Sequence, residues 1–197
     1  MTFKKFIFNC YCYWPSNPKK IIEFIGGSYL ASNPDITYKR FIESLINKNY
    51  AVHAYKYIPQ FDHQELSIKA WKAFKSCNQS LSRRLNQNLS TIRVGHSLGC
   101  KLHLIAPDGG RNCERFISIS FNNFSANNSI PFLKNISKNL DFNSEFSPSP
   151  QRTFKLIKDT YIQNNNLLIK FDSDKLDQTE SLLNCLKKRT NDNSNGL

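Results

Sequence analysis

A serine held between glycines, Gly95-His96-Ser97-Leu98-Gly99, is the strongest chemical signal in the chain. The run from Thr91 to Val94 leads in like a strand and Leu98 to Ile105 leads out with helical spacing, the strand-turn-helix setting in which a serine hydroxyl is presented as a nucleophile. Gly95 and Gly99 suit such a turn, because its strained backbone passes so close to neighbouring elements that a Cβ would clash. The plainer alternative is a serine that caps a helix after a glycine turn. Attack on an acyl carbon also needs N–H donors aimed at the developing oxyanion. The residue after the nucleophile, Leu98, supplies one and the loop after an earlier strand supplies the other. Phe24-Ile25-Gly26-Gly27-Ser28 stands where that loop belongs, which makes Gly27 and Ser28 the candidate donors. The same loop lacks the Gly-x-Gly-x-x-Gly fingerprint, so no dinucleotide cofactor is expected.

A serine of this kind works with an acid and then a histidine, in that chain order. The acid is expected just after a strand beyond the elbow, and Leu167 to Asp177 fits: Asp174 best matches the position, Asp172 is the runner-up and Asp177 reads as the cap of the following helix. The histidine is harder to find, since none follows His103. His103 lies six residues into the elbow helix, about 9 Å along its axis, a poor place from which to reach the Ser97 hydroxyl. His96 reads as a packing residue beside the elbow and His53 as a mid-strand core residue. His63, in Phe61-Asp62-His63, follows a strand and therefore belongs on the same sheet edge as the elbow, either touching the site or capping the next helix.

The elements that must carry these residues alternate between short β-rich runs and longer helical patterns, which predicts an α/β fold with a mainly parallel sheet and helices on both faces. Strands are expected at Ile21 to Ile25, Tyr50 to Ile58, Thr91 to Val94, Phe116 to Phe121 and Leu167 to Phe171, with Phe6 to Trp14 as an edge strand. Their expected order runs from the strand at Tyr50 through those at Ile21, Thr91 and Phe116 to the one at Leu167. Helices are expected at Pro34 to Asn47, Gln64 to Leu85, Leu98 to Ile105 and Asp177 to Lys188. A single domain spans 1–197; within it 125–149, rich in Ser, Asn and Pro, reads as a cap or lid, and 191–197 reads as a frayed tail.

Composition narrows the partners. The 27 Lys and Arg against 15 Asp and Glu give a net charge of +12, yet the cations fall in scattered pairs and triplets and form no nucleic-acid-binding signature. The six cysteines show neither Cys-x-x-Cys nor zinc spacing, so no metal site is expected and free thiols in a reducing, cytoplasmic setting are. No stretch approaches the ~20 apolar residues of a membrane span.

Ile-Ile-Glu-Phe-Ile-Gly-Gly-Ser-Tyr from 21, Phe-Asp-His from 61, the elbow with Cys-Lys-Leu-His to 103, Ser-Phe-Asn-Asn-Phe from 120, Ser-Pro-Ser-Pro from 147 and Asn-Leu-Leu-Ile-Lys-Phe-Asp-Ser-Asp from 166 occur in order. Together they resemble an α/β-hydrolase-like family of cyanobacteria and plastids, domain of unknown function 1350, from about Trp14 to Arg189. The resemblance implies an α/β-hydrolase fold with Ser97 as nucleophile and brings no substrate. It also implies a further strand and a His-containing loop where this sequence ends in Asn-Asp-Asn-Ser-Asn-Gly-Leu, so the sheet is expected to be truncated at its C-terminal edge, leaving the strand at Leu167 unpaired there. The leading expectation is a serine hydrolase or acyltransferase acting on a small ester, thioester or lipid-like acyl group. The rival is a catalytically impaired relative kept for ligand or protein binding.

Overall fold

The structure is a computed structural model that describes residues 2–126, 145–189 and 195–196. Among these residues eight strands form one sheet: β1 (Thr2–Ile7), β2 (Cys10–Pro15), β3 (Ile21–Ile25), β4 (Ala51–Tyr55), β5 (Thr91–His96), β6 (Arg115–Ile119), β7 (Asn166–Ile169) and β8 (Asn195–Gly196). Their order across the sheet is β1-β2-β4-β3-β5-β6-β7-β8. From β4 to β8 all neighbours are parallel, and the β1–β2 hairpin joins β4 antiparallel. The five strands anticipated from the sequence therefore stand in the anticipated order, in an α/β-hydrolase-like fold.

Among the described residues six α-helices cover the sheet: α1 (Pro34–Thr37), α2 (Lys39–Asn47), α3 (His63–Leu85), α4 (Leu98–Leu104), α5 (Pro150–Thr160) and α6 (Thr179–Lys187). Alternation along the central strands sorts the two faces. Ile22, Phe24, Val52, Ala54 and Val94 pack toward Ile42 of α2. Ile21, Ile25, Ala51 and Tyr55 pack toward Leu66, Phe74 and Leu81 of α3. Beyond the elbow, Phe116 and Leu168 meet Cys100 and Leu104 of α4, Ile157 of α5 and Leu182 and Leu186 of α6. The α3 face also buries charge: Arg93 of β5 bonds Glu23 of β3 through Nε at 3.0 Å and Asp108 through both terminal nitrogens at 2.8 Å.

Five expectations change. Phe6 to Trp14 is not one edge strand but the bend and second arm of a hairpin, turned at Phe8 and Asn9, whose φ values of 50° and 58° place both in the left-handed region of a tight hairpin turn. The helix expected from Pro34 to Asn47 breaks at Tyr38 (φ −112°, ψ 20°). Helix α5 was not anticipated, although Ser149 as N-cap to the Arg152 amide and Pro150 at the first helical position are ordinary start signals. Asp177 accepts from the Thr179 amide at 2.7 Å, but the residue flanking α6 is Gln178. Finally, β7 is not the sheet's edge: within the stretch read as a frayed tail, Asn195 and Gly196 pair with Leu167 and Leu168. Of the segment read as a cap, 127–144 lies outside the described residues. Its returning end is fastened to the start of α3, where Ser147 donates to the Phe61 carbonyl and accepts from the Gln64 amide, both at 2.9 Å.

Candidate active site

Parallel strands bring their carboxyl ends, and the loops that follow them, to one edge of the sheet. Ser97 lies there between β5 and α4 with φ 56° and ψ −122°, a conformation that L-residues rarely adopt. Its own amide donates to the Ile119 carbonyl of β6 at 2.9 Å, and its carbonyl accepts from the Cys100 amide at 3.0 Å, so the strained turn is fixed from both sides. Gly99 makes this approach possible, since a Cβ there would strike the Ile25 carbonyl of β3. Opening α4, the Leu98 amide has no acceptor among the described residues and is the free donor a nucleophile elbow leaves toward its substrate.

The loop after β3 faces the elbow: a Cβ on Gly27 would stand 3.2 Å from Ser97 Cβ and 3.1 Å from His96 Nδ1. Two tyrosines hold this loop. Tyr57 donates its hydroxyl to the Gly26 carbonyl at 2.9 Å, and the Gly27 amide donates to Tyr38 Oη at 2.8 Å. The Gly27 N–H, expected as an oxyanion donor, is thus engaged with the Tyr38 hydroxyl. The Ser28 amide, one residue on, has no acceptor among the described residues. Tyr38 Oη lies 2.8 Å from His96 Nδ1 as well, and burial pushes the phenol pKa up to about 12, so it keeps its proton. Burial also lowers the His96 pKa, an effect that the Asp174 carboxylate opposes.

Asp174, half-buried in the loop after β7, is on the same sheet edge as Ser97 and accepts from the Leu176 amide at 2.9 Å, while Asp172 is exposed. His63 also reaches this edge, as the first residue of α3, but it turns to the returning segment: its ring stacks on Phe146 with centroids 4.3 Å apart. Burial, with the Lys101 charge adding to it, takes the His63 pKa down to about 3. The cap of that helix is Asp62, which accepts from the Glu65 amide at 2.8 Å. His53 accepts from Trp14 Nε1 at 2.8 Å, and His103 stacks against Phe74, both deep in the core. No histidine nitrogen is hydrogen-bonded to Ser97 among the described residues. In that place stands Asn122, whose Nδ2 donates to Ser97 Oγ at 2.6 Å.

Asn122 and Tyr38 are residues at the elbow that the pattern reading missed. The Ser-Phe-Asn-Asn-Phe block carried Asn122 without revealing which of its amides would turn inward. Lys101, fully buried one turn beyond the elbow, donates to the Pro148 carbonyl at 2.8 Å, and burial lowers its pKa to about 7.

A family model described as protein of unknown function (DUF1350) matches residues 4–195. The chain belongs to the DUF1350 family. A comparison with curated proteins returns no match. Among solved structures, this DUF1350 chain is similar to carboxyl esterase 2 from the mycorrhizal fungus Tuber melanosporum, with TM-score 0.65 and 15% identity over 100% of this chain and 74% of that one. It is similar to the esterase domain of a Rhodothermus marinus protein (TM-score 0.59, 14% identity, 95% of this chain and 79% of that one). A third is the fluorophosphonate-binding serine hydrolase F of Staphylococcus aureus (TM-score 0.62, 12% identity, 100% and 88%). These likenesses give the DUF1350 chain the fold of α/β-hydrolases. No helix among its described residues is long and apolar enough to cross a membrane.

Proposed function

We propose that the protein is a serine hydrolase or acyltransferase. Ser97 Oγ attacks the acyl carbon of a small ester, thioester or lipid-like substrate, the alcohol or thiol departs with a proton, and water or a second acceptor later takes the acyl group from the serine. The Leu98 and Ser28 amides face the developing oxyanion, and Asp174 is the acid of the site. The observation that carries this reading is the strained Ser97 at the head of α4, with the Leu98 amide unoccupied beside it. The esterase and serine hydrolase neighbours support acyl chemistry as the class.

The same geometry favours slow turnover by this chain. A serine hydroxyl is a weak nucleophile until a base takes its proton, and the hydrogen-bond partner of Ser97 Oγ is the Asn122 amide, a donor. Losing the histidine of a comparable triad costs about 10⁶ in turnover and leaves roughly 10³–10⁴ over water. We therefore expect covalent labelling of Ser97 by a fluorophosphonate, and slow steady hydrolysis of short and long acyl esters. Labelling absent from the folded wild-type protein, or retained in Ser97→Ala, would overturn the nucleophile. Fast turnover that is lost in Ser97→Ala and kept in both His63→Ala and His96→Ala would show a base elsewhere.

A further inference from the structure

Seven of the ten large apolar side chains exposed among the described residues sit at the carboxyl edge of the sheet, the edge that carries Ser97, so they are not scattered as isolated surface positions usually are. Phe171 and Leu176 follow β7. The other five, Phe8, Tyr29, Leu30, Ile36 and Ile58, lie on loops and short helical turns that hydrogen bonds tie together. The Asn9 carbonyl accepts from the Lys56 amide at 2.7 Å, the Ala31 carbonyl from the Tyr57 amide at 3.0 Å, and the Leu30 carbonyl from Thr37 Oγ1 at 2.6 Å. Ile36 is 72% exposed and Ile58 68%, and Phe8 is 54% exposed at the tip of the β1–β2 hairpin. This platform adjoins the nucleophile, because Tyr29 and Leu30 come two and three residues after Gly27, which faces Ser97 Cβ.

The surrounding charge selects the partner. Lys4 pairs with Asp35 at 3.7 Å and Lys39 with Glu43 at 3.9 Å, while Arg40 and Lys56 have no ion-pair partner among the described residues. An apolar platform with an excess of cations, on a chain of net charge +12, suits a surface that offers acyl chains beneath anionic groups. We propose that this platform docks on an anionic lipid surface and brings Ser97 to acyl substrates carried there. The inference rests on the serine-hydrolase reading for its substrate and on the platform alone for its binding.

The test is co-sedimentation of the full chain with vesicles of phosphatidylcholine alone and of phosphatidylcholine mixed with phosphatidylglycerol. Binding is expected on the mixed vesicles, weakening with salt and much weaker on the neutral ones. The double substitution Ile36→Ser with Ile58→Ser removes two side chains that would insert, and should weaken binding about tenfold or more while the fluorophosphonate labelling rate in solution stays unchanged. Lys56→Gln with Arg40→Gln should reduce the preference for phosphatidylglycerol. Ser97→Ala should bind like the wild type, so a failure of the nucleophile and a failure of the platform are told apart. Absence of binding to mixed vesicles, equal binding by the double serine variant, or a dimer in solution that the same substitutions dissociate would overturn the proposal.

Discussion

Asn122 Nδ2 donates to Ser97 Oγ across 2.6 Å, joining the loop after β6 to the elbow after β5. A donor at this position fixes the rotamer of Ser97 and stabilises negative charge on its oxygen as the proton leaves. Hydrogen bonds to charged groups are worth about 1.5–3 kcal/mol, more than neutral ones. Asn122→Ala should therefore slow fluorophosphonate labelling of Ser97 by roughly tenfold or more, with little change in the melting temperature, since the site is only half-buried. An unchanged labelling rate in the folded variant would mean that the contact is passive.

The two tyrosines on the Gly26-Gly27 loop lead to a second prediction. Tyr38 serves three groups at once: its ring packs on Gly26, where a Cβ would come within 2.9 Å of Tyr38 Cζ, and its hydroxyl meets the Gly27 amide and His96 Nδ1. Tyr38→Phe keeps the ring and leaves the Gly27 N–H without its acceptor. The expected cost is about 1–3 kcal/mol, or roughly 2–4 °C in Tm for each kcal/mol. The stability loss should come with slower labelling of Ser97, because the loop opposite the nucleophile loses a tether. Full stability together with normal labelling in Tyr38→Phe would show that another acceptor or water takes the Gly27 N–H in place of the hydroxyl.

The fold was legible because its signals are local. Apolar runs such as Ile21 to Ile25 fill both faces of a strand, and the Gly-x-Ser-x-Gly spacing fixes where strand becomes helix. The partners of Ser97 were less legible, since Tyr38 and Asn122 reach the elbow from loops 59 and 25 positions away in the chain, and only the register of β3, β5 and β6 brings them there. Pattern also misled where a residue adopts a backbone outside its preference: Phe8 at φ 50° hid a hairpin turn. His63 opens α3 after β4, but the stacking of its ring on Phe146 depends on where the segment after 144 returns, which no periodicity encodes.

Three buried histidines make stability depend on pH. Burial lowers the pKa of His53 to about 4 and those of His63 and His103 to about 3, with Lys101 and Arg93 adding to the effect at the latter two. A histidine with a lowered folded pKa is neutral in the native state when the unfolded chain already binds a proton. Its contribution is therefore complete above about pH 6.5 and is lost as the pH falls toward those folded values. Each such group costs up to about 1.4 kcal/mol per pH unit, so the three together give a slope of roughly 4 kcal/mol per unit over the steep range. Glu23, whose pKa burial raises, opposes this with one proton. Urea unfolding at intervals from pH 7.5 to 4.5 should show a steep loss of stability below pH 6.5. A flat profile down to pH 5 would contradict neutral burial of these rings.

The last prediction concerns the cost of holding Ser97 at φ 56° and ψ −122°. A non-glycine residue in so sparsely populated a region stores about 1–3 kcal/mol, which the hydrogen bonds to Ile119 and Cys100 must overcome. Glycine tolerates positive φ at no steric cost, although it loses more entropy on folding, by roughly 0.5–1 kcal/mol. Ser97→Gly should therefore melt at or above the wild-type temperature, whereas Ser97→Ala keeps the Cβ and the strain and should gain less. Both variants lose the hydrogen bond from Asn122, so the difference between them isolates the backbone term. Neither should be labelled by a fluorophosphonate. If Ser97→Gly melts below Ser97→Ala, the elbow is not strained in solution, and the case for a turn built to present a nucleophile fails with it.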